Sequence, residues 1–320
     1  MGRLQAAPPY FRRIVLSTEM QAAEAESWGF ATGDEIAPGL YAWQLLGDGR
    51  RFETWLAWAS ALWSHVTVKL PHPGFVDEQT CRALANEAVI VGDLAHPSIQ
   101  RLLAVELGSA RPHLVYEYVE GPPLDALIGE QRSLGADDVA RLGMQLAAAL
   151  HYVHGRGIVH LDLKPSNVVI REGRAIVLDF DIARRIGTRG SGRKPRGSPP
   201  FMAPEQIRCE PASPSMDLFA LGATLYEAAT GSAAFAISGD GPDRVYPQLT
   251  DPPLGVRTLA RDVPSGLESV IELLLQGDPA RRPATAAAAL ALLKQALPHD
   301  EEALWPWWAD ELLPSGAASQ

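Results

Sequence analysis

The apolar pattern of the chain changes character near residue 120. Between about residues 40 and 119 the apolar residues form short runs rich in β-branched and aromatic residues, which predict strands, around one helical stretch at 78–95. After residue 120 they recur at helical spacing, apart from two strand-like runs at 167–170 and 175–180. A strand-rich part followed by a helix-rich part predicts an α+β chain of two lobes, and a cleft between lobes is a natural ligand site.

These changes in pattern predict four segments. We expect an N-terminal extension at 1–38, a strand-rich lobe at 39–119, a helical lobe at 120–296 and a C-terminal tail at 297–320. The tail holds three of the eight tryptophans. We expect it either to cover an apolar patch of the same chain or to dock a partner.

Composition indicates a soluble protein. Hydrophobic residues make up 47% and charged residues 21% of the 320 residues, as in ordinary globular proteins. A net charge of −10 argues against nucleic-acid and anionic membrane surfaces. Only two cysteines occur and no secretory signal is recognisable, which favours the cytoplasm. The apolar run at 218–237 contains Glu227, so we interpret it as a buried helix and expect no membrane span.

A group of polar residues in the second part has the chemistry for phosphate transfer. The stretch HLDLKPSN supplies Asp162, Lys164 and Asn167, and LDFD supplies Asp179. A carboxylate can accept the proton of an attacking hydroxyl, a lysine can neutralise phosphate charge, and carboxylate or amide oxygens can bind Mg²⁺. An isolated Asp-x-Lys is usually surface charge, so the assignment depends on the motifs around it.

The first part supplies residues suited to binding phosphates. In LGDGRRFET, Gly47 and Gly49 lack side chains, so backbone N–H groups can approach a phosphate, although Gly-x-Gly between strands is often only a turn. Lys69 lies in a strand-like run, and Glu87 follows 18 residues later in the helical stretch. A lysine directed into a cleft needs an anion nearby to stay oriented.

From Gly47 to Arg282 the ordered set of motifs resembles the eukaryotic-type (Hanks-type) serine/threonine protein kinase family, in a bacterial soluble form. The resemblance implies the bilobal protein kinase fold, with a small β-rich N-lobe carrying one regulatory helix and a larger helical C-lobe. It implies ATP-dependent phosphorylation of protein Ser and Thr hydroxyls, autophosphorylation included, with Mg²⁺ as cofactor. Protein substrates are the implied partners, without nucleic acid or membrane.

The family's residue roles transfer to matching positions of this chain. Asp162 matches the general base and Lys164 the residue that neutralises the transferring phosphate, while Asn167 and Asp179 match the magnesium ligands. The nucleotide-binding positions are Gly47 and Gly49 for the phosphates, Lys69 with its partner Glu87, the Glu117 carbonyl and Val119 amide for adenine, and Val169 beneath the base. Tyr116 matches the gatekeeper.

Motifs downstream separate protein kinases from small-molecule kinases. GSPPFMAPEQ matches the peptide-docking segment, in which the Ser198 hydroxyl is expected to bridge Asp162 and Lys164. Asp217 matches the anchor of the catalytic-loop backbone. Arg282 is expected to form a buried salt bridge with Glu205. Small-molecule kinases share the Asp…Asn…Asp core but lack this segment and its brace, so they are the less favoured alternative.

Three positions depart from the family pattern. Leu161 replaces the usual Arg before the catalytic Asp, which should relax regulation without abolishing catalysis. Asp181 replaces the Gly after Asp179 and Phe180, where Gly eases backbone rotation. Phe52 stands in place of the third glycine of the phosphate-binding loop. Phe52 and Asp181 support an alternative, a pseudokinase that binds nucleotide or partners without turnover.

Overall fold

The computed structural model describes residues 26–190, 194–239 and 241–296. These residues form two compact units. The first contains the described residues up to Ala95 together with Gln100–Pro122, and the second contains His96–Ile99 and the described residues from Pro123 onward. The tryptophan-rich tail and most of the predicted N-terminal extension lie outside the described residues. The predicted segment boundaries after residues 38, 119 and 296 therefore stay predictions.

The first unit is built on one six-stranded antiparallel sheet with a helix, α1 (Glu78–Gly92). The spatial order of the strands is β1-β2-β3-β4-β6-β5. Their bounds are β1 (Glu35–Ala37), β2 (Leu40–Asp48), β3 (Phe52–Ala59), β4 (Ser64–Pro71), β5 (Leu102–Glu106) and β6 (His113–Glu117). Asp77 caps the helix N-terminus, where its side chain accepts a hydrogen bond from the Thr80 amide. The predicted strands and helix of this part are confirmed.

A core cluster of the first unit lies on one face of this sheet. Buried apolar side chains of β2, β3 and β4, among them Trp55, Val68 and Leu70, form a single cluster. Trp28 and Phe30, which precede β1, pack against this cluster. The structure thus adds to the sheet a short segment before residue 39 that carries no strand pattern in the sequence.

The second unit is mainly helical. Its helices are α2 (Leu124–Gln131), α3 (Ala136–Gly155), α4 (Pro204–Ile207), α5 (Pro214–Thr230), α6 (Val256–Leu259), α7 (Ser265–Leu274) and α8 (Ala286–Gln295). Two antiparallel strand pairs accompany them: β8 (Val168–Arg171) with β9 (Arg174–Val177), and β7 (Ile158–Val159) with β10 (Arg184–Arg185). The loop before β8 contains the three predicted catalytic residues, Asp162, Lys164 and Asn167.

The long apolar run of the sequence forms the central helix of this unit. Helix α5 is buried along most of its length and ends at Thr230. The left-handed backbone of Gly231, with a φ of 71°, ends the helix. This position requires glycine, because a Cβ there would collide with the carbonyl of Arg132. Within the described residues no helix combines the length and the apolar character needed to cross a membrane.

Candidate active site

Lys69 and Glu87 form the predicted ion pair in the first unit. The Lys69 ammonium lies 2.8 and 3.0 Å from the two carboxylate oxygens of Glu87. Both residues are buried, with 7% and 1% of their surface exposed. The Tyr116 hydroxyl donates to the same carboxylate at 2.7 Å. The ring of Phe52 lies 5.1 Å from the ammonium, so the residue in place of the third glycine contacts the lysine directly.

The predicted phosphate-binding glycines lie at the turn between β2 and β3. Gly47 pairs with Thr54 across the strands. The Gly49 amide donates to the carbonyl of Phe52 at 3.0 Å, which closes the turn. The Gly49 carbonyl lies 2.8 Å from the imidazole Nε2 of His72. The turn is therefore tied to the residue that follows β4.

His72 connects the glycine turn to a buried carboxyl that the sequence did not single out. Glu53 is fully buried and accepts hydrogen bonds from the Trp28 amide at 2.9 Å and the Trp55 indole at 2.6 Å. Its Oε1 lies 3.1 Å from Nδ1 of His72, and Asp48 lies 3.1 Å from Nε2 of the same ring. These contacts connect the glycine turn through His72 to the buried Glu53.

The predicted adenine-binding groups lie at the end of β6. The Glu117 carbonyl accepts a hydrogen bond from the Gln100 side chain at 2.9 Å. The Val119 amide makes no hydrogen bond to any other described residue. Val169, predicted to lie beneath the base, is a buried residue of β8 in the second unit, where it pairs with Ile176.

The catalytic loop of the second unit is held by Asp217, as the sequence predicted. This fully buried carboxylate accepts hydrogen bonds from the backbone amides of His160 and Leu161, each at 2.8 Å. The His154 imidazole contacts the same carboxylate at 2.8 Å. Leu161 has a φ of 69°, an unfavourable conformation for a branched side chain. The contacts to Asp217 hold this conformation and direct the following residue, Asp162.

Asp162 contacts Lys164, Asn167 and Ser198. One of its carboxylate oxygens is 3.2 Å from both the Lys164 ammonium and the Asn167 amide nitrogen. The other accepts the Ser198 backbone amide at 2.7 Å. The Ser198 hydroxyl accepts from Lys164 at 2.6 Å. The Ser198 hydroxyl therefore contacts Lys164 as expected, but the Ser198 backbone amide, not the hydroxyl, contacts Asp162.

Asp179 follows the β8–β9 hairpin and adjoins this group through the backbone. The Leu178 amide donates to the carbonyl of Asn167 at 2.8 Å, and Asp179 has a φ of 57°. The buried Phe180 packs edge-on against His160, with ring centroids 4.5 Å apart. These contacts hold the chain on both sides of the Asp179 carboxylate.

Asn167 and Asp179 supply a donor set that fits Mg²⁺. The Asn167 amide nitrogen donates to Asp162, which leaves the amide oxygen as an acceptor. Among the described residues no cluster of three or more His, Cys, Asp or Glu side chains could hold a metal ion. One carboxylate and one amide oxygen are nevertheless what a cation needs whose remaining ligands are substrate phosphates and water.

Asp125, which lies near Lys164, and Glu227, which lies near Asp125, form an acidic pair that the sequence did not predict. Burial raises the pKa of Asp125 in α2, although the nearby Lys164 charge acts in the opposite direction. Burial also raises the pKa of Glu227 in α5, and the Asp125 charge raises it further. Neither residue belongs to a recognisable motif, so only the folded structure reveals this acidic pair.

The predicted brace of the second unit is present. Arg282 forms two hydrogen bonds to Glu205, at 2.7 and 3.0 Å, and both residues are buried. The guanidinium also lies 5.0 Å from the ring of Phe219. The salt bridge fixes α4, which directly follows the segment containing Ser198.

Comparisons with known proteins agree with this geometry. The sequence profile described as "Protein kinase domain" matches residues 42–297. The chain is 32% identical over 265 residues to the serine/threonine-protein kinase Pkn1 of Myxococcus xanthus, covering 79% of this chain and 37% of that protein. It is 30% identical over 257 residues to the serine/threonine-protein kinase PknB of Mycolicibacterium smegmatis, covering 76% and 40%. The chain thus spans less than half the length of these relatives.

A solved structure shows the same fold. The PknI kinase domain of Mycobacterium tuberculosis superposes with a TM-score of 0.64 at 22% sequence identity, covering 83% of this chain and 99% of that one. The β-rich first unit and the helical second unit agree with this fold. The family expected from the motifs is confirmed, and this chain belongs to the protein kinase family.

Proposed function

We propose that this domain transfers the γ-phosphate of ATP to Ser and Thr hydroxyls of proteins, its own included. The observation that carries the proposal is the arrangement around Asp162. Its carboxylate is oriented by the Ser198 amide and by Asn167, and it lies 3.2 Å from the Lys164 ammonium. In this role Asp162 accepts the proton of the attacking hydroxyl, while Lys164 neutralises charge on the phosphate in transfer.

The other predicted residues act on the nucleotide in this proposal. Lys69, oriented by Glu87, binds the α and β phosphates, and the turn at Gly47 and Gly49 covers them. The Glu117 carbonyl and the Val119 amide bind adenine, above Val169. Mg²⁺, held by Asn167 and Asp179, would neutralise the β and γ phosphate oxygens when bound. Each role rests on the position of the residue within its own unit and on the family motif.

An inactive domain that only binds nucleotide or a partner is the second candidate. Phe52 lies against Lys69, and a buried side-chain oxygen of Asp181 finds no hydrogen-bond partner among the described residues. Both features adjoin residues of the proposed reaction. The retained contacts of Asp162, Lys164 and Asn167 favour turnover, because an inactive domain has no need of a positioned general base.

Incubation of the purified protein with ATP and Mg²⁺, followed by phosphosite mapping, tests the proposal. We expect phosphorylation of Ser or Thr in the wild type and a loss of about 10²–10⁴-fold in Asp162→Asn, the size of a general-base contribution. Asp179→Asn should also lose magnesium-dependent nucleotide binding. Asp262→Asn, an exposed aspartate in the same unit, is the matched control. Wild-type rates in both active-site variants would show that the residue assignment is wrong.

The setting of this activity is proposed from the sequence. The two cysteines, Cys81 and Cys209, are free thiols, as expected in the reducing cytoplasm. Protein substrates with Ser or Thr acceptors are the proposed partners. The tryptophan-rich tail is proposed to cover an apolar patch of this chain or to dock a partner.

A further inference from the structure

The segment that precedes β1 is tied to the first unit at two points, both through Trp28. The Trp28 backbone amide donates to the Glu53 carboxylate at 2.9 Å, and its indole N–H donates to the Pro71 carbonyl at 2.8 Å. In the β3–β4 ladder Pro71 pairs with Phe52, the first residue of β3. Both contacts therefore lie at the end of the sheet that carries the glycine turn, residues 47–52.

Arg111, in the loop between β5 and β6, holds Trp28 in this position. The Arg111 guanidinium lies 4.8 Å from the Trp28 ring and 5.0 Å from the Phe30 ring. It also donates to the backbone carbonyls of Glu35 and Ile36, at 2.9 and 3.0 Å. A cation that is bound to two backbone carbonyls and lies over both rings keeps the segment against the sheet.

His72 connects the contacts of Trp28 to the glycine turn. Its Nδ1 lies 3.1 Å from the Glu53 oxygen that accepts from the Trp28 amide, and its Nε2 lies 2.8 Å from the Gly49 carbonyl. The His72 backbone amide donates to the Arg51 carbonyl at 3.0 Å. His72 and Glu53 are both buried. One histidine therefore contacts two carbonyls of the turn and a carboxylate oxygen that Trp28 also binds.

Phe30 occupies the same segment without this connection. Like Trp28, it is half-buried, packs against the core cluster of the sheet and contacts Arg111. Its ring also packs edge-on against Trp55, with centroids 5.4 Å apart. A phenyl ring carries no hydrogen-bonding group, so the side chain of Phe30 contributes packing alone. Trp28 contributes packing and, in addition, hydrogen bonds to residues on either side of the glycine turn.

We propose that Trp28 is a positioning residue for the glycine turn. The docked segment orients Glu53, Glu53 orients His72, and His72 holds the turn. A turn that is held before the nucleotide arrives loses less conformational entropy on binding, so its affinity for phosphates is higher. The effect concerns the phosphates, because the proposed adenine-binding groups lie at the end of β6. The inference thus rests on the nucleotide binding proposed above.

The first experiment compares ADP with adenosine, which lacks phosphates, by titration calorimetry in the presence of Mg²⁺. We expect Trp28→Leu to raise the dissociation constant of ADP about three- to tenfold, as for a lost hydrogen bond, and that of adenosine about twofold or less. The effect is partial because the Trp55 indole still donates to Glu53. A purely structural role of Trp28 would weaken both ligands equally.

Phe30→Leu is the matched control for this comparison. It makes a similar replacement in the same segment and also removes a ring from Arg111, but it leaves the hydrogen bonds of Trp28 in place. We expect the ratio of the ADP and adenosine constants to stay at the wild-type value. If Trp28→Leu does not fold, Trp28→Phe carries the comparison, because it keeps an aromatic ring and loses only the indole N–H.

A double-mutant cycle tests whether the effect passes through His72. The ratio of the two constants is measured for Trp28→Leu, His72→Ala and the double variant. If Trp28 acts through His72, the double variant should match His72→Ala to within about twofold, since no connection to the turn is left to lose. Effects that simply multiply would show that the two residues act independently, and would overturn the proposed route.

Hydrogen exchange of the nucleotide-free protein tests the same connection without a ligand. Trp28→Leu should speed the exchange of amides in the glycine turn relative to the wild type and Phe30→Leu, while amides of α3 exchange as before. Unchanged exchange at the turn, or equal ligand ratios in Trp28→Leu and Phe30→Leu, would overturn the inference. A wild type that binds no nucleotide would instead count against the proposed function, and the exchange result would still decide the role of Trp28.

Discussion

The Tyr116 hydroxyl donates a hydrogen bond to Glu87 at 2.7 Å, on a carboxylate oxygen that also contacts Lys69. Tyr116 therefore contributes to the ion pair as well as to strand β6. Two groups, the Lys69 ammonium and the Tyr116 hydroxyl, fix the position of one carboxyl oxygen in a buried environment, where such contacts are stronger than in water. The orientation of Lys69 thus depends on β6 as well as on α1.

Replacing Tyr116 by Phe should weaken this arrangement without breaking the ion pair. We expect the free energy of unfolding to fall by about 1–2 kcal/mol, because a buried hydrogen bond to a charged group is lost. The Michaelis constant for ATP should rise by about tenfold or less, measured by steady-state kinetics on a peptide. Tyr226→Phe, the same substitution at a buried tyrosine of the second unit, is the control. Equal effects of both variants would contradict the role of Tyr116.

His72→Ala should loosen the glycine turn and destabilise the first unit. The variant removes the contact to the Gly49 carbonyl and leaves the fully buried Glu53 without its imidazole neighbour. We expect a loss of about 1–3 kcal/mol in unfolding free energy, because the buried imidazole and its hydrogen bond to the Gly49 carbonyl are lost. Nucleotide affinity should fall as well, measured by titration with an ATP analogue.

Two further variants separate these effects. Adding Glu53→Gln to His72→Ala should lower the stability further, because the amide nitrogen of Gln cannot accept the hydrogen bond that the Trp28 amide or the Trp55 indole donates. His151→Ala on the exposed face of α3 should change stability by about 0.5 kcal/mol or less. An unaltered nucleotide affinity in His72→Ala would show that the turn does not depend on this histidine.

The sequence predicted the parts of this structure that rest on spacing within motifs. The Lys69–Glu87 and Glu205–Arg282 pairs, and the Asp217 anchor, all form as expected. In each case a motif fixes one partner on a regular element, and the family pattern supplies the other. The strands of the first unit were also predictable, because their apolar runs are bounded by turn residues.

The remaining features depend on tertiary packing that no local pattern encodes. Glu53 and His72 lie 19 residues apart in sequence and meet only because β3 and β4 pair in one register. Trp28 joins the core without a strand pattern. The left-handed backbone of Leu161 is imposed by Asp217, against the preference of the residue itself.

Asp125 and Glu227 should make stability depend on pH. Burial raises the pKa of Asp125 above its ordinary 3.8, so the folded state binds this proton more tightly than the unfolded state does. Stability therefore falls as the pH rises from 3.8 through the raised value, and Glu227 adds the same trend from 4.5.

Asp125→Asn should flatten this fall, since it removes one carboxyl and the charge that raises the pKa of Glu227. We expect the variant to be more stable than the wild type at neutral pH and to differ less from it in acid. Denaturant unfolding across the acid-to-neutral range measures the difference. Asp262→Asn, an exposed aspartate, should follow the wild-type curve. If both variants do so, burial of Asp125 has no energetic effect.

Asp181→Gly should alter the magnesium dependence of the proposed reaction while leaving the rate within about tenfold, or 1.4 kcal/mol. The Asp181 amide donates to the Asp179 carboxylate at 3.3 Å, and a buried oxygen of its side chain has no hydrogen-bond partner among the described residues. A carboxylate so placed can accept from a water of the metal's coordination shell. Glycine removes that acceptor but keeps the backbone amide, so phosphate transfer continues at a higher magnesium requirement.

Kinetics at varied Mg²⁺ concentrations compare the wild type, Asp181→Gly and Asp181→Asn, the last of which keeps the side-chain size without the charge. An inert wild type that glycine activates would instead favour the inactive-domain candidate, and identical magnesium curves would show that Asp181 has no part in metal binding.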